Sequence, residues 1–258
     1  MIKVNNLTKT FKRNSFTKNK SLVLDNVSLH IEKGTTLGLI GESGCGKSTL
    51  GRAILKLIPL DSGKIHFNDI DITKYSSKYM ISLRKDMQII FQHPDTSLNP
   101  SKTILFSLLE PILIHNLMNR NEAMAKIKEF LDYVNLKEEI LSRYPHEISG
   151  GQIQRIALVR VLLLKPKFII LDEATSMLDV SVQAQIIQLL KKIQREFDIT
   201  YLFISHDLDL VTAFCDEIAV MNKGKIIEIG KNYDVYNNPH QDYTKKLINT
   251  FKKLYQSI

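Results

Sequence analysis

Residues 41 to 49 read Gly-Glu-Ser-Gly-Cys-Gly-Lys-Ser-Thr and satisfy the pattern G-x-x-x-x-G-K-[ST]. A polyphosphate presents oxygens on several sides, and glycines let successive backbone N–H groups come close where a Cβ would stand in the way. From this spacing Lys47 can reach the β- and γ-phosphates, and Ser48 can place its hydroxyl on Mg2+. The apolar run "TLGLI" precedes the pattern and the helix-like "STLGRAILKLI" follows it, which is the strand, loop and helix order the chemistry requires. Gly41, Ser43, Gly44, Cys45, Gly46, Lys47, Ser48 and Thr49 are the candidate nucleotide-binding residues.

A second set of polar residues follows apolar runs. "FIILDE" ends in Asp172 and Glu173. The first carboxylate suits Mg2+, usually through water, and the second can polarise a water attacking a γ-phosphate. Gln92 comes after "MQIIF" and His206 after "TYLFIS". In open α/β sheets ligands gather at the carboxyl ends of strands, so Gly41, Gln92, Asp172 and His206 are expected to converge on one ligand. Plainer readings stand beside this one: a strand ending in acids can simply face water, Gln92 can be a hydrophilic strand terminus, and His206 a capped or surface histidine.

A third feature, "ISGGQIQR" from Ile148 to Arg155, reads as a tight turn opening a helix at Ser149-Gly150-Gly151. Free N–H groups and the helix dipole point the same way there, which makes a second anion cradle about a hundred residues after the first.

The elements that must position these residues follow from composition and rhythm. At 258 residues and 44% hydrophobic content the chain can fill the core of one large α/β domain, or of one with an inserted subdomain. Short apolar runs alternating with helical patterns predict parallel strands joined by helices. Residues 1 to 40, and "SGKIHFNDIDI" at 62 to 72, are strand-like pieces joined by turns and predict an antiparallel β portion. From about 101 to 147 the pattern is helical, with Ala123, Ile127, Leu131 and Val134 on one face; Ile186, Leu190, Ile193 and Phe197 recur at helical spacing later. The polar stretch Lys12 to Ser21 is expected to be an exposed loop. No run of about 18 apolar residues occurs, and the N-terminus reads as a strand rather than a signal peptide, so a cytoplasmic location is expected. Cys45 and Cys215 share no metal-ligand spacing and are expected to be reduced thiols. The 35 basic residues against 27 acidic ones give a net charge of +8, read as lysines scattered over solvent faces rather than as a nucleic-acid surface.

The phosphate loop at 41 to 49, Gln92, "ISGGQ" at 148 to 152, "IILDE" at 169 to 173, "SMLD" at 176 to 179 and "ISHD" at 204 to 207 occur in the order and spacing of ATP-binding cassette ATPases. The chain resembles that family over nearly its whole length. The resemblance implies an α/β phosphate-loop NTPase core with a mostly parallel sheet, an N-terminal antiparallel β portion and an inserted α-helical subdomain. It places a single cassette over 1–258: a RecA-like core at 1–100 and 148–230, the helical subdomain with the start of the signature helix at 101–147, and a helical tail at 231–258. ATP and Mg2+ are the implied substrate and cofactor. Phe11 matches the aromatic that stacks on adenine, with Phe16 a weaker candidate. Gln92 matches the glutamine that touches Mg2+ or the attacking water, and the implied metal set is Ser48, Gln92 and Asp172. Glu173 is similar to the catalytic carboxylate, His206 to the histidine that contacts the γ-phosphate, and Asp179 to the aspartate at the dimer seam. Ser149, Gly150, Gly151 and Gln152 form the signature, which in that family faces a nucleotide held by the opposite protomer. Ile148 stands where leucine is usual, and Met177 where a small alanine is usual.

Around Gln92, "FQHPDTSLNP" resembles the peptide/nickel importer branch of the family, as does "NNPHQDYTKKLI" near the C-terminus, which can also be read as a plain amphipathic closing helix. The absence of a cysteine cluster after Cys215 moves weight toward the shorter cassettes of nickel or metal-chelate uptake. Implied partners are two transmembrane permease subunits, a second related cassette and, indirectly, an extracytoplasmic solute-binding protein, with the chain at the cytoplasmic face of the membrane. The rival is a soluble cassette acting on DNA or the ribosome; such members carry a long coiled coil or a second cassette, and neither is visible here.

Overall fold

The structure is a computed structural model that describes residues 1–12, 20–176 and 178–255. Phe16 and Met177 lie outside the described residues. In chain order the elements begin with β1 (Ile2–Lys12), β2 (Lys20–Ile31), β3 (Thr36–Ile40), α1 (Lys47–Ile54), β4 (Ser62–Phe67), β5 (Ile70–Asp71) and α2 (Ser77–Arg84). Next come β6 (Met87–Ile90), α3 (Ile104–Ile114), α4 (Arg120–Tyr133), α5 (Gly150–Leu162), β7 (Phe168–Asp172) and α6 (Val180–Phe197). The last are β8 (Thr200–Ile204), α7 (Leu208–Phe214), β9 (Glu217–Asn222), β10 (Lys225–Lys231), α8 (Asn232–Asn237) and α9 (Asp242–Tyr255). Two compact units result, one from residues 1–80 with 200–258 and the other from 81–199.

The first unit contains an antiparallel sheet in the order β2-β1-β4-β5. β1 alternates, burying Ile2, Val4 and Leu7, until the register slips between Val4 and Leu7. The slip is built from asparagines on both strands, Asn6 at φ 51° and Asn26 at φ 54°, a residue type that tolerates the left-handed region. The hairpin carries on to the pairs Thr10↔Leu22 and Phe11↔Ser21. The stretch expected to be a loop from Lys12 to Ser21 is thus strand at both ends, because ladder hydrogen bonds satisfy the backbone whatever the side chains are.

The same unit holds β10, β9, β3 and β8 side by side, with β9/β3 and β3/β8 parallel and β10/β9 antiparallel. Every residue of β3 and of β8 is buried, which is why both read as continuous apolar runs rather than alternating ones. Gly38 in β3 lets α7 approach: a Cβ there would meet Cys215 Sγ and Val211 Cγ1 at 2.9 Å. One of the lysines expected on solvent faces, Lys9, is buried here and answers its burial with an ion pair to Asp61 at 3.5 Å.

In the second unit β6 and β7 pair in parallel, and helices α3 to α6 supply the rest of its core. The predicted face of α4 is buried at Ala123, Ile127, Leu131 and Val134, and Phe130 joins it. On α6, Ile186, Leu190 and Ile193 are buried as expected, together with Ile187, while Phe197 stays half-buried with its ring 5.9 Å from that of Phe130. Helix α5 buries seven of its thirteen residues, so it shows almost no amphipathic pattern to read. Among the described residues, no helix is long and apolar enough to cross a membrane.

Ile170, fully buried in β7, tests whether that strand anchors its unit. Ile170→Ala is expected to lower unfolding stability by about 2–5 kcal/mol, as measured by denaturant titration.

Candidate functional site

In the first unit, β3 ends at Ile40 and α1 begins at Lys47, with the glycine loop between them. Gly41, Gly44 and Gly46 have φ of 150°, 77° and 114°, values that L side chains rarely adopt. Two of them are also hemmed in: a Cβ on Gly41 would lie 2.2 Å from Met221 O, and one on Gly46 would lie 2.8 Å from Val23 O. Gly44 differs, since nothing lies within 4 Å of its Cβ position. The loop is therefore pinned at its two feet and open at its crest.

Lys47 is buried, and its Nζ donates to Gly41 O at 2.7 Å and Glu42 O at 3.0 Å. The ammonium is held against the loop's own carbonyls, at the head of α1, where it is available to a phosphate. Ser48 and Thr49 are half-buried in the first turn of the helix, and Ser43 is exposed. Burial pushes the Cys45 thiol above its ordinary value, with Lys47 opposing, so this side chain is a protonated filler beneath the loop rather than a reactive thiolate.

In the second unit, Asp172 is the buried last residue of β7 and Glu173 follows it at φ 52°. A left-handed glutamate is an uncommon, strained conformation, of the kind that clusters at functional sites, and it re-aims the side chain just past the strand. Gln92, two residues past β6, is exposed and donates to Ser176 Oγ at 3.4 Å; Ser176 Oγ in turn donates to Glu173 O at 3.0 Å. The structure thus joins Gln92 to the turn after the paired acids through one hydroxyl. Beside it a groove of about 300 Å³ is lined by Phe91, Pro94, Pro111, Ile114 and Arg160 among others. Arg160 ties the walls together, donating to Ser97 O at 2.6 Å and to Glu110 Oε2 at 2.7 Å.

Ser149 is the N-cap of α5. Its Oγ accepts from Gln152 N at 3.4 Å, and Gln152 Oε1 accepts from Ser149 N at 3.0 Å, a reciprocal capping box. Gln152 therefore acts on the turn itself, a role its S-x-x-Q spacing signals and which the reading of "ISGGQ" as a nucleotide signature passes over. Ser149 and Gly150 are exposed and Gly151 is half-buried, with Leu178 and Val182 as the nearest neighbours of their Cβ positions. Asp179 likewise caps α6, its Oδ1 accepting from Val182 N at 2.9 Å. In the first unit, His206 is exposed between β8 and Asp207, the N-cap of α7. Phe11, 41% exposed at the end of β1, already carries the Lys9 ammonium 5.1 Å from its ring centre. A residue that the reading of "NNPHQDYTKKLI" gave no place in the site also reaches the glycine loop: Tyr243 of α9, whose hydroxyl accepts the N–H of Glu42.

The glycine loop suits a nucleoside triphosphate. The open crest at Gly44, the N–H groups at the head of α1 and the Lys47 ammonium form a donor set for polyphosphate. Among the described residues no group of three or more His, Cys, Asp or Glu could hold a metal unaided.

The sequence profile of the family described as ABC transporter matches residues 24–176. Over 249 residues the chain is 45% identical to the oligopeptide transport ATP-binding protein OppF of Streptococcus mutans, covering 96% of this chain and 80% of OppF. It is 48% identical to the glutathione import ATP-binding protein GsiA of Pectobacterium atrosepticum over 87% of this chain, but spans 36% of that relative's length. Among solved structures, the dimeric post-hydrolysis state of the ATP-binding cassette MJ0796 bound to ADP and Pi is similar, with a TM-score of 0.81 and 29% identity over 90% of this chain and 99% of that one.

Gly46→Ala adds one methyl at φ 114° against Val23 O. The variant is expected to lose about 1–3 kcal/mol of unfolding stability, read by thermal or denaturant melting.

Proposed function

The chain belongs to the ABC transporter family, and from that premise we propose that it is the subunit that binds and hydrolyses ATP to power a bacterial-type importer of peptides. The observation that carries the proposal is the glycine loop: two of its glycines cannot accept a Cβ, its crest is open, and Lys47 waits at the helix head behind it. The match to an oligopeptide transport relative over 96% of the chain supports peptides as the cargo class, ahead of nickel or metal chelates. The whole chain acts as one cassette in this reading, with 1–100 and 148–230 as its core, 101–147 as its helical subdomain and 231–258 as its tail.

The roles follow from the residues' chemistry. N–H groups of the 41–49 loop hold the phosphates, Lys47 neutralises charge on the β- and γ-oxygens, and Phe11 offers its ring to adenine. Ser48, Gln92 and Asp172 would hold Mg2+, which when bound would supply charge stabilisation on the phosphoryl oxygens. Glu173 accepts the proton of the attacking water, and His206 donates toward the γ-phosphate. Product is ADP and phosphate.

Ser149 and Gly151, at the capped start of α5, serve a nucleotide held by a second, related cassette, so each site is complete only across an interface; the dimeric structure of the similar cassette MJ0796 supports this. Gln92 and the groove beside it face two permease subunits, through which the chain sits at the cytoplasmic face of the membrane and serves an extracytoplasmic peptide-binding protein.

Glu173→Gln is expected to keep ATP binding and lower turnover by about 10²- to 10⁴-fold in a phosphate-release assay. Isolated with ATP from its native membrane, that variant should bring along permease subunits and a binding protein that takes peptides; one that takes nickel would reassign the cargo. Ser149→Arg should abolish ATP-dependent pairing on a sizing column with ATP affinity of the isolated chain retained, whereas Ser149→Ala, which removes only the cap, reports the baseline. Unchanged pairing in Ser149→Arg would rule out the shared site.

A further inference from the structure

Resting on the reading that residues 41–49 bind ATP, we propose that the Tyr243 hydroxyl is a positioning group for that loop, holding the peptide between Gly41 and Glu42 in the orientation the bound triphosphate needs. That peptide is gripped from both sides. Its oxygen accepts from Lys47 Nζ at 2.7 Å, and its N–H donates to Tyr243 Oη at 3.3 Å. The two bonds polarise each other through one amide, so the lysine and the tyrosine are coupled although they share no atom.

Lys47 has three ammonium donors, and a phosphate would compete with Gly41 O and Glu42 O for them. As the phosphate draws on the ammonium, the charged donor on Gly41 O weakens, and Gly41 itself, at φ 150°, has no side chain to hold the peptide's orientation. The Tyr243 hydroxyl is the bond on this peptide for which the phosphate does not compete. It sits on a fixed base: Glu228 on β10 accepts the N–H groups of His240 at 2.7 Å and Gln241 at 3.2 Å, which lead into α9. Behind the tyrosine, Thr244 is fully buried and Ile248 is 2% exposed. Burial pushes the phenol above its ordinary value, so it remains a neutral hydroxyl at any pH near neutrality. The Pro-x-x-x-Tyr-Thr segment at 239–244 thereby acquires a task in the nucleotide site beyond closing the chain with a helix.

Tyr243→Phe removes the hydroxyl and keeps the ring. Its Kd and KM for ATP are expected to rise about two- to tenfold with kcat at saturation nearly unchanged and the melting temperature lowered by no more than a few degrees, the yield of one net hydrogen bond. Deuterium exchange at the Glu42 amide should accelerate by a similar factor. Should that variant fail to fold, Glu228→Ala, which loosens the base of α9 and leaves Tyr243 in place, must weaken ATP binding in the same direction. Unchanged ATP affinity in a folded Tyr243→Phe, or a loss of kcat and stability with KM constant, overturns the proposal while wild-type binding leaves the ATPase reading standing. Wild-type protein that binds no ATP sinks that reading and the proposal with it.

Discussion

A loop that receives phosphates must leave its N–H groups unspent, and a folded chain rarely tolerates unspent donors. The rest of the first unit is arranged around that conflict. The loop gives up ordinary backbone conformation at Gly41, Gly44 and Gly46, and neighbouring strands hold it from outside, with Met221 O on β9 against Gly41 and Val23 O on β2 against Gly46. Further backbone bonds, Cys45 N to Glu42 O at 3.3 Å and Gly224 N to Cys45 O at 3.0 Å, fasten its middle. The antiparallel β portion is therefore more than a decoration on a nucleotide fold: through Val23 it forms one wall of the loop.

What could be read from the sequence alone was whatever repeats a pattern that backbone chemistry enforces. The loop's glycines, the mostly apolar and wholly buried runs of β3, β7 and β8, and the buried faces of α4 and α6 all belong here. What escaped was set by partners distant in sequence. Lys9 looks like any surface lysine until Asp61, brought in by β4, pairs with it in the sheet. Tyr243 is about two hundred positions from Glu42, and no spacing rule spans that distance. Asp179 and Gln152 escaped for a different reason: their family resemblance offered a functional reading, and a local capping role satisfies the same residues. The two roles are compatible, since a cap fixes the start of a helix that must present its donors outward.

Glu173 shows strain and support side by side. Its left-handed backbone costs on the order of 1–3 kcal/mol, and such a conformation persists only where its surroundings over-determine it. Those surroundings are visible: Ser176 N and Oγ both donate to Glu173 O, Gln92 donates to the same hydroxyl, and Gln183 Nε2 ties Thr175 O to α6 at 2.9 Å. A strand end that would otherwise relax is kept in one geometry.

Helix α5 spans about 20 Å at 1.5 Å per residue, with exposed Ser149 at one end and Arg160 clasping Ser97 and Glu110 near the other. From Gly151 to Arg160 no residue of it is exposed, and close-packed interiors transmit strain rather than absorb it. The helix is mechanically a stiff connecting rod. A push at its cap arrives as a displacement of the Arg160 clasp, so the groove beside Gln92 is within mechanical reach of whatever touches Ser149.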